Sequence, residues 1–161
     1  MIFRMLPAIV AILTAVSAYA QDSGLKGLKE FSTLVAMDQA GATCGLSEAQ
    51  LEQAFMAPTS SEKFKIVRMQ PLSSMPFMEI TTLSAVLNQG VTCISAVTLH
   101  LIHVQKVRLN YNNEVETAVE VLIWRHHKLL SSPRSAHAKR MTDAVENAAK
   151  EFVIEWSIEN H

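Results

Sequence analysis

The feature that most restricts the fold of this chain is a stripe of apolar side chains near its C-terminus. The stripe follows the three- and four-residue spacing of one α-helical face and consists of Met141, Val145, Ala148, Phe152 and Trp156. Upstream of it, Pro133 suits the first position of a helix. Because a one-sided apolar helix has to pack against another element, we predict a long C-terminal helix that covers a sheet.

The segments that would supply this sheet alternate between apolar and polar residues, as half-buried strands do. The clearest run is 115–123, in which the residues on one face are Val115, Thr117, Val119, Val121 and Ile123. Similar runs predict strands at 31–37, 64–69, 77–87 and 92–109. In the last run the apolar parity changes near Leu101 and Ile102, which indicates a bulge, a bend or burial on both faces.

A shorter helix is predicted between the first two strands. Ser47 is suited to cap its N-terminus, Gln50 would be its third residue, and Pro58 with Thr59, Ser60 and Ser61 is expected to stop it. The predicted order is strand, helix, four strands and long helix. This order is typical of an α+β two-layer sandwich, with a mostly antiparallel sheet of about four or five strands covered by a short helix and the long C-terminal helix.

The first twenty residues have the layout of a signal peptide for secretion. Arg4 precedes an apolar run at 6–16, and Ala18 and Ala20 fit the small-residue pattern of a cleavage site. This run is too short to anchor the chain across a bilayer, and no later stretch is apolar enough to be a transmembrane anchor. We expect a signal peptide over 1–20, cleavage near Ala20, one domain over 21–161, and a periplasmic or secreted location.

The charge of the chain argues against nucleic acid as a partner. Fourteen Lys and Arg residues face fifteen Asp and Glu residues, a formal net charge of −1, and cleavage of the signal would remove Arg4. Proteins that coat nucleic acid need an excess of positive charge, because their affinity comes largely from neutralising phosphates. The sequence therefore favours other partners.

The two cysteines, Cys44 and Cys93, both follow the predicted signal. An even number of cysteines in an oxidising compartment permits one disulfide, and neither residue has a second cysteine or a histidine nearby at ligand spacing. The predicted disulfide would close a loop of about 50 residues and stabilise the domain by about 4 kcal/mol in the chain-entropy treatment.

Motifs for catalysis, metal or cofactor binding are weak in this sequence. The segment from Gly45 to Ala49 lacks the second glycine of a nucleophile elbow, and there is no P-loop, dinucleotide fingerprint or HExxH motif. His100 and His103 lie three residues apart in a predicted strand, and His126 and His127 are adjacent. Both spacings point the two side chains to opposite faces, so we predict neither a metal site nor a cofactor.

One strand end concentrates aromatic and polar side chains. Trp124, Arg125, His126 and His127 follow one another there and form our candidate binding edge. A simpler interpretation is that Trp124 packs beneath the last helix and that the following residues form an ordinary polar turn.

Several short segments carry a resemblance to a group of proteins. They are Gly27-Leu28-Lys29, then Cys44-Gly45-Leu46-Ser47 opening a helix, Trp124 closing a strand, and 152–156 near the end. This order, over most of the mature chain, resembles small uncharacterised bacterial periplasmic proteins. The resemblance implies a two-layer α+β module without an assigned reaction, and it transfers no catalytic residue.

Two hypotheses of function follow. The first is a non-catalytic periplasmic accessory or binding module, associated with the envelope, whose partner would be an envelope or periplasmic protein or a small ligand. The second is a small metal-dependent or hydrolytic enzyme that uses His100, His103, His126 or His127. A pocket that joins two of these histidines with a carboxylate would favour the enzyme.

Overall fold

The computed structural model describes residues 24–60, 64–68, 75–109 and 115–161. In chain order the elements are β1 (Glu30–Met37), α1 (Gln39–Thr43), α2 (Glu48–Thr59), β2 (Lys65–Arg68), β3 (Phe77–Leu87), a 3-10 turn (Asn88–Gly90), β4 (Thr92–Leu109), β5 (Val115–Pro133) and α3 (Arg134–Asn160). The predicted α+β class is confirmed. The predicted signal peptide at 1–20 lies outside the described residues, and no helix within them is long and apolar enough to cross a membrane.

The sheet is mixed and has the strand order β2-β1-β3-β4-β5. β1 runs parallel to both β2 and β3, whereas β3–β4 and β4–β5 form the two longest ladders and are antiparallel. The connections account for these directions. The helices α1 and α2 cross over between β1 and β2, which lets the two strands run parallel, whereas the tight turn between β3 and β4 makes those strands antiparallel. Asn88, Gln89 and Gly90 all have positive φ in that turn. In this strand order, β5 lies at an edge of the sheet.

The core lies on the face of the sheet covered by α2 and α3. Side chains at alternate positions of β3 and β4 point into it and are buried: Met78, Ile80, Val97, Leu99 and Leu101. The predicted stripe on α3 meets them, and all five of its members are at most 5 % exposed. Six aromatic rings fill one end of this layer, with centroid distances of 5.0 to 6.2 Å: Phe31, Phe55, Phe64, Trp124, Phe152 and Trp156.

The end of α3 also holds the segment that precedes β1. The indole nitrogen of Trp156 donates to the carbonyl of Leu28 at 2.9 Å. The side chain of Asn160 donates to the carbonyl of Leu25 at 3.0 Å and accepts from the amide of Gly27 at 2.7 Å. These contacts tie residues 25–28 to the last turns of the helix.

The helix predicted at Ser47 is α2, and its cap is confirmed. The Ser47 hydroxyl accepts a hydrogen bond from the amide of Gln50 at 3.3 Å. The helix ends in the predicted segment, since its last residue is Thr59 and Pro58 lies inside its last turn. Thr59 then closes it by donating its hydroxyl to the carbonyl of Phe55 at 3.0 Å.

The short helix α1 was not predicted, because Ala40-Gly41 resembles a break. Asp38 caps it and joins it to the sheet, since its carboxylate accepts from the amides of Gly41 and Ser84, both at 2.9 Å. A Cβ at Gly41 would lie 2.8 Å from Cγ of Met37. The glycine here is therefore a packing requirement and does not break the helix.

The predicted disulfide is confirmed. Cys44, which ends α1, is bonded to Cys93 at the start of β4, with the Cα atoms 6.0 Å apart and a sequence separation of 49. Both half-cystines are fully buried. The bond therefore joins the helical layer to the centre of the sheet.

The parity change near Leu101 and Ile102 corresponds to a register shift between β4 and β5. Leu101 pairs with Trp124 and Ile102 pairs with Leu122, so Ile123 is the extra residue of a bulge on β5. The β3 ladder ends at the pair of Phe77 with Ile102. From this pair outward, residues 102–109 of β4 and 115–122 of β5 form an extension that we call the ribbon, and past Ile102 it has two strands within the described residues. Residues 110–114, which join the two strands, lie outside the described residues.

Candidate binding groove

A groove opens where α3 runs back along the edge strand β5. The chain passes from β5 directly into α3 at Pro133, which caps the helix without a side-chain hydrogen bond and leaves no loop between the two elements. The helix therefore lies antiparallel to the strand that precedes it. The groove has a volume of about 500 Å³ and is lined by His126, Lys128, Leu130, Arg140, Asp143, Ala144, Asn147, Lys150, Glu151 and Ile154.

The charges in the groove are unevenly neutralised. Lys150 is paired with Glu146 at 2.7 Å, and Glu151 lies 3.1 Å from Nδ1 of His126. Asp143 pairs with Lys139 at 2.8 Å, on the neighbouring helix surface. Arg140 donates to the carbonyl of Ser131 at 3.3 Å, and neither it nor Lys128 has a carboxylate partner among the described residues. The groove therefore has two cations without a carboxylate partner in the described part of the chain, Lys128 and Arg140, beside the apolar side chains of Leu130 and Ile154, and its whole lining has three cations and two carboxylates.

The structure separates the four residues of the candidate binding edge. Trp124 is buried, packs on Phe152 with ring centroids 5.2 Å apart, and donates its indole hydrogen to Glu155 at 2.8 Å. His126 lies on the same side, stacked on Trp124 at 6.2 Å. Arg125 and His127 are exposed and point to the opposite, open face of the sheet, because side chains alternate along a strand. The binding role predicted for these residues stays a prediction.

The other two histidines are not near the groove. His100 lies on the open face, with Nδ1 4.0 Å from a carboxylate oxygen of Glu79. His103 belongs to the ribbon, where Nδ1 lies 3.2 Å from the amide nitrogen of Gln105. No three histidine, cysteine or acidic side chains converge as metal ligands within the described residues.

A buried polar network was missed by the sequence analysis. Nε2 of His137 lies 2.8 Å from Ser95 Oγ, Nδ1 lies 2.8 Å from Ser132 Oγ, and Ser95 Oγ lies 2.7 Å from Ser84 Oγ. A sequence signal existed, because His137 stands four residues before Met141 and so continues the apolar stripe of α3.

This network pairs serines with a histidine, as hydrolases do, but its surroundings differ from those of a catalytic site. His137 and Ser95 are 0 % exposed and Ser132 is 4 % exposed. Burial lowers the pKa of His137 below its ordinary value of 6.5, and the positive charge of Arg140 lowers it further. The imidazole is thus held neutral, with both ring nitrogens hydrogen-bonded and the whole residue buried from solvent. The network satisfies polar groups where α3 crosses β4 and β5.

The comparisons with known proteins show no family and a weak structural similarity. No protein-family model matches the sequence, and no curated protein matches it. Among solved structures, the chain is similar to rare lipoprotein B from Shewanella oneidensis, with a TM-score of 0.27 and 13 % sequence identity, over 78 % of this chain and 93 % of that one. A similarity of this degree does not establish shared ancestry or function.

Proposed function

We propose that this chain is an exported, non-catalytic accessory or binding module of the cell envelope, and that it binds a negatively charged partner or ligand in the groove between β5 and α3. One observation carries the proposal. Lys128 and Arg140 project into the same groove, and neither has a carboxylate partner among the described residues. In a chain of net negative charge, two such cations beside an apolar wall favour an anionic group with an apolar neighbour.

The apolar part of the groove supports this proposal. Leu130 supplies the strand side and Ile154, which is 59 % exposed, supplies the helix side. Ligand sites commonly combine an apolar lining with a few polar groups that orient the ligand. Here the cations would orient an acidic group while the aliphatic side chains contact the carbon skeleton next to it.

Export is part of the proposal and has separate support. The N-terminal sequence has the order of a signal peptide, and the buried disulfide is the kind of bond that persists in oxidising compartments. The sequence resemblance to small bacterial periplasmic proteins agrees with both. Fractionation of cells that express the full chain, with the N-terminus of the product sequenced, tests this part. An uncleaved product in the cytosol would contradict it.

The binding role can be tested by photo-crosslinking in intact cells. A photoreactive residue in place of Asn147, in the groove, should give a discrete adduct, whereas the same residue in place of Gln53, on the exposed side of α2, should not. The adduct at 147 should be strongly reduced by Lys128→Glu combined with Arg140→Glu, because the two new carboxylates would repel an acidic group.

Lys29→Glu is the matched control. Lys29 is also an exposed cation, next to the start of β1, and it does not line the groove. This substitution should leave the adduct at 147 unchanged. An adduct that is equally strong in the Lys128 and Arg140 double variant, or equally strong from position 53, would refute the groove as the binding site.

A further inference from the structure

The edge strand β5 carries opposite charges in its two halves. Residues 115–122, in the ribbon, include two glutamates and no lysine or arginine. Residues 124–132, beside α3, include Arg125 and Lys128 and no acidic residue. The strand is thus complementary in charge to a second copy of itself that runs in the opposite direction.

The exposed charges of the two halves also share one face of the sheet. Glu120 pairs with Val104 and lies two residues before Leu122, which is opposite Ile102 on the open face. Arg125 points to the open face because its neighbour Trp124 points to the helices. Glu120, Arg125 and His127 are all exposed and have no ion-pair partner among the described residues.

The backbone of β5 is available for this pairing. Within the described residues β5 is hydrogen-bonded to β4 alone, so alternate N–H and C=O groups along its other side point away from the sheet. The need for a third strand is greatest in the ribbon, because a two-stranded hairpin is only marginally stable in water and three strands are required for independent stability.

We propose that two copies of this chain associate through antiparallel pairing of their β5 strands, about a two-fold axis between Leu122 and Ile123. In this register Glu120 of each copy lies opposite Arg125 of the other, with His127 diagonal to it. The strand half beside α3 in each copy becomes the third strand of the other copy's ribbon. The proposal does not depend on what occupies the groove.

The charges and the bulge restrict this association to one register. Charged side chains and bulges on an edge strand normally oppose indiscriminate pairing. A shift of the axis toward Lys128 would bring the positive halves of both copies together, which is unfavourable. The bulge at Ile123 lies next to the proposed axis, so the ladders on either side of it remain regular.

Sedimentation equilibrium of the purified exported protein tests the proposal. We expect a dimer at micromolar concentration that weakens as salt is raised, since exposed ion pairs are screened. Glu120→Arg and Arg125→Glu should each weaken self-association by about tenfold. Each substitution places like charges at positions 120 and 125, and the two-fold axis makes this repulsive contact occur twice in the dimer. The double variant with both substitutions exchanges the charges and should restore the dimer.

Two controls make the result decisive. Lys139→Glu changes the net charge as Arg125→Glu does but lies on α3, and it should leave the dimer intact. Leu122→Cys, next to the axis, should form a disulfide between copies on oxidation, whereas Leu83→Cys, which is 70 % exposed on β3, should not. A protein that stays monomeric, or a dimer indifferent to Glu120 and Arg125, would overturn the proposal.

Discussion

The two ends of the β4–β5 hairpin are built from similar sequence and differ in what supports them. Near Cys93 and Ser132 the hairpin is covered by α3, joined to α1 by the disulfide, and linked to His137 by buried hydrogen bonds. Past Ile102 the ribbon has β4 and β5 alone within the described residues. Alternation of apolar residues therefore specifies a strand in both places, but only tertiary contacts make one end rigid.

The supported end of the hairpin comprises residues 92–101 and 124–133, and the largest effect should come from removing the aromatic ring of α3 that packs beneath it beside Trp124. Phe152 contacts the rings of Phe31, Phe55 and Trp124 at 5.7, 6.0 and 5.2 Å. Phe152→Ala should lower the free energy of unfolding by about 3–5 kcal/mol, because it leaves a cavity that rigid neighbours do not fill. Urea denaturation measures this. Phe152→Leu, which keeps most of the volume, should cost clearly less, and equal losses would contradict the packing argument.

Removal of the disulfide should have the next largest effect. Cys44→Ser combined with Cys93→Ser should lower the free energy of unfolding by about 2–4 kcal/mol, mainly because the unfolded chain gains freedom in a long loop. Urea denaturation of the double variant, beside the parent under oxidising and reducing conditions, measures it. A parent protein whose stability is the same with and without reductant would show that this bond does not hold the supported end.

The same substitution of valine by alanine at each end of the hairpin should show directly that the two ends differ in packing. Val97 is 1 % exposed beneath the helices, whereas Val119 is half-buried in the ribbon. Val97→Ala should cost about 2 kcal/mol and Val119→Ala less than about 1 kcal/mol, since only the first leaves a closed cavity. The measurement should be made where the protein is monomeric. Equal costs would show that the ribbon is packed as well as the rest.

The supported end should also be sensitive to acid through His137. Its pKa is lowered in the folded protein, so near pH 6.5 the unfolded chain takes up a proton that the folded chain does not. Stability should be complete above pH 6.5 and decrease as the pH falls from 6.5 toward the lowered pKa, by at most about 1.4 kcal/mol per pH unit.

Denaturation curves at several pH values measure this dependence. His137→Gln should be less stable at neutral pH and should lose this part of the slope. His127→Gln, at an exposed histidine, should keep the slope of the parent. A slope that is unchanged in His137→Gln would assign the acid sensitivity to other groups.

Most of the fold was predictable because its signals are local. The apolar spacing on α3, the alternation at 115–123 and the cap at Ser47 each involve residues close together in sequence. The disulfide was predictable from the even number of cysteines together with the expected oxidising compartment. α1 was missed because its stability depends on Asp38, whose carboxylate also accepts from the distant amide of Ser84. The parallel placement of β1 next to β3 has no local signal either.

The candidate site was predictable only in part, for the same reason. The sequence placed Trp124, Arg125, His126 and His127 together, but a strand turns neighbouring side chains to opposite faces. The groove combines residues of β5 with α3 positions such as Arg140, and the charges left without partners depend on which carboxylates lie near.

The sequence by itself determined the class of the fold and the long covering helix, since periodicity and composition encode which side chains must leave water, and its two cysteines permitted one disulfide. Only the tertiary structure decided that β5 lies at the edge, that His137 joins Ser95 and Ser132, and that Lys128 and Arg140 share a groove. These features depend on distances between segments far apart in the chain, which a single sequence does not specify.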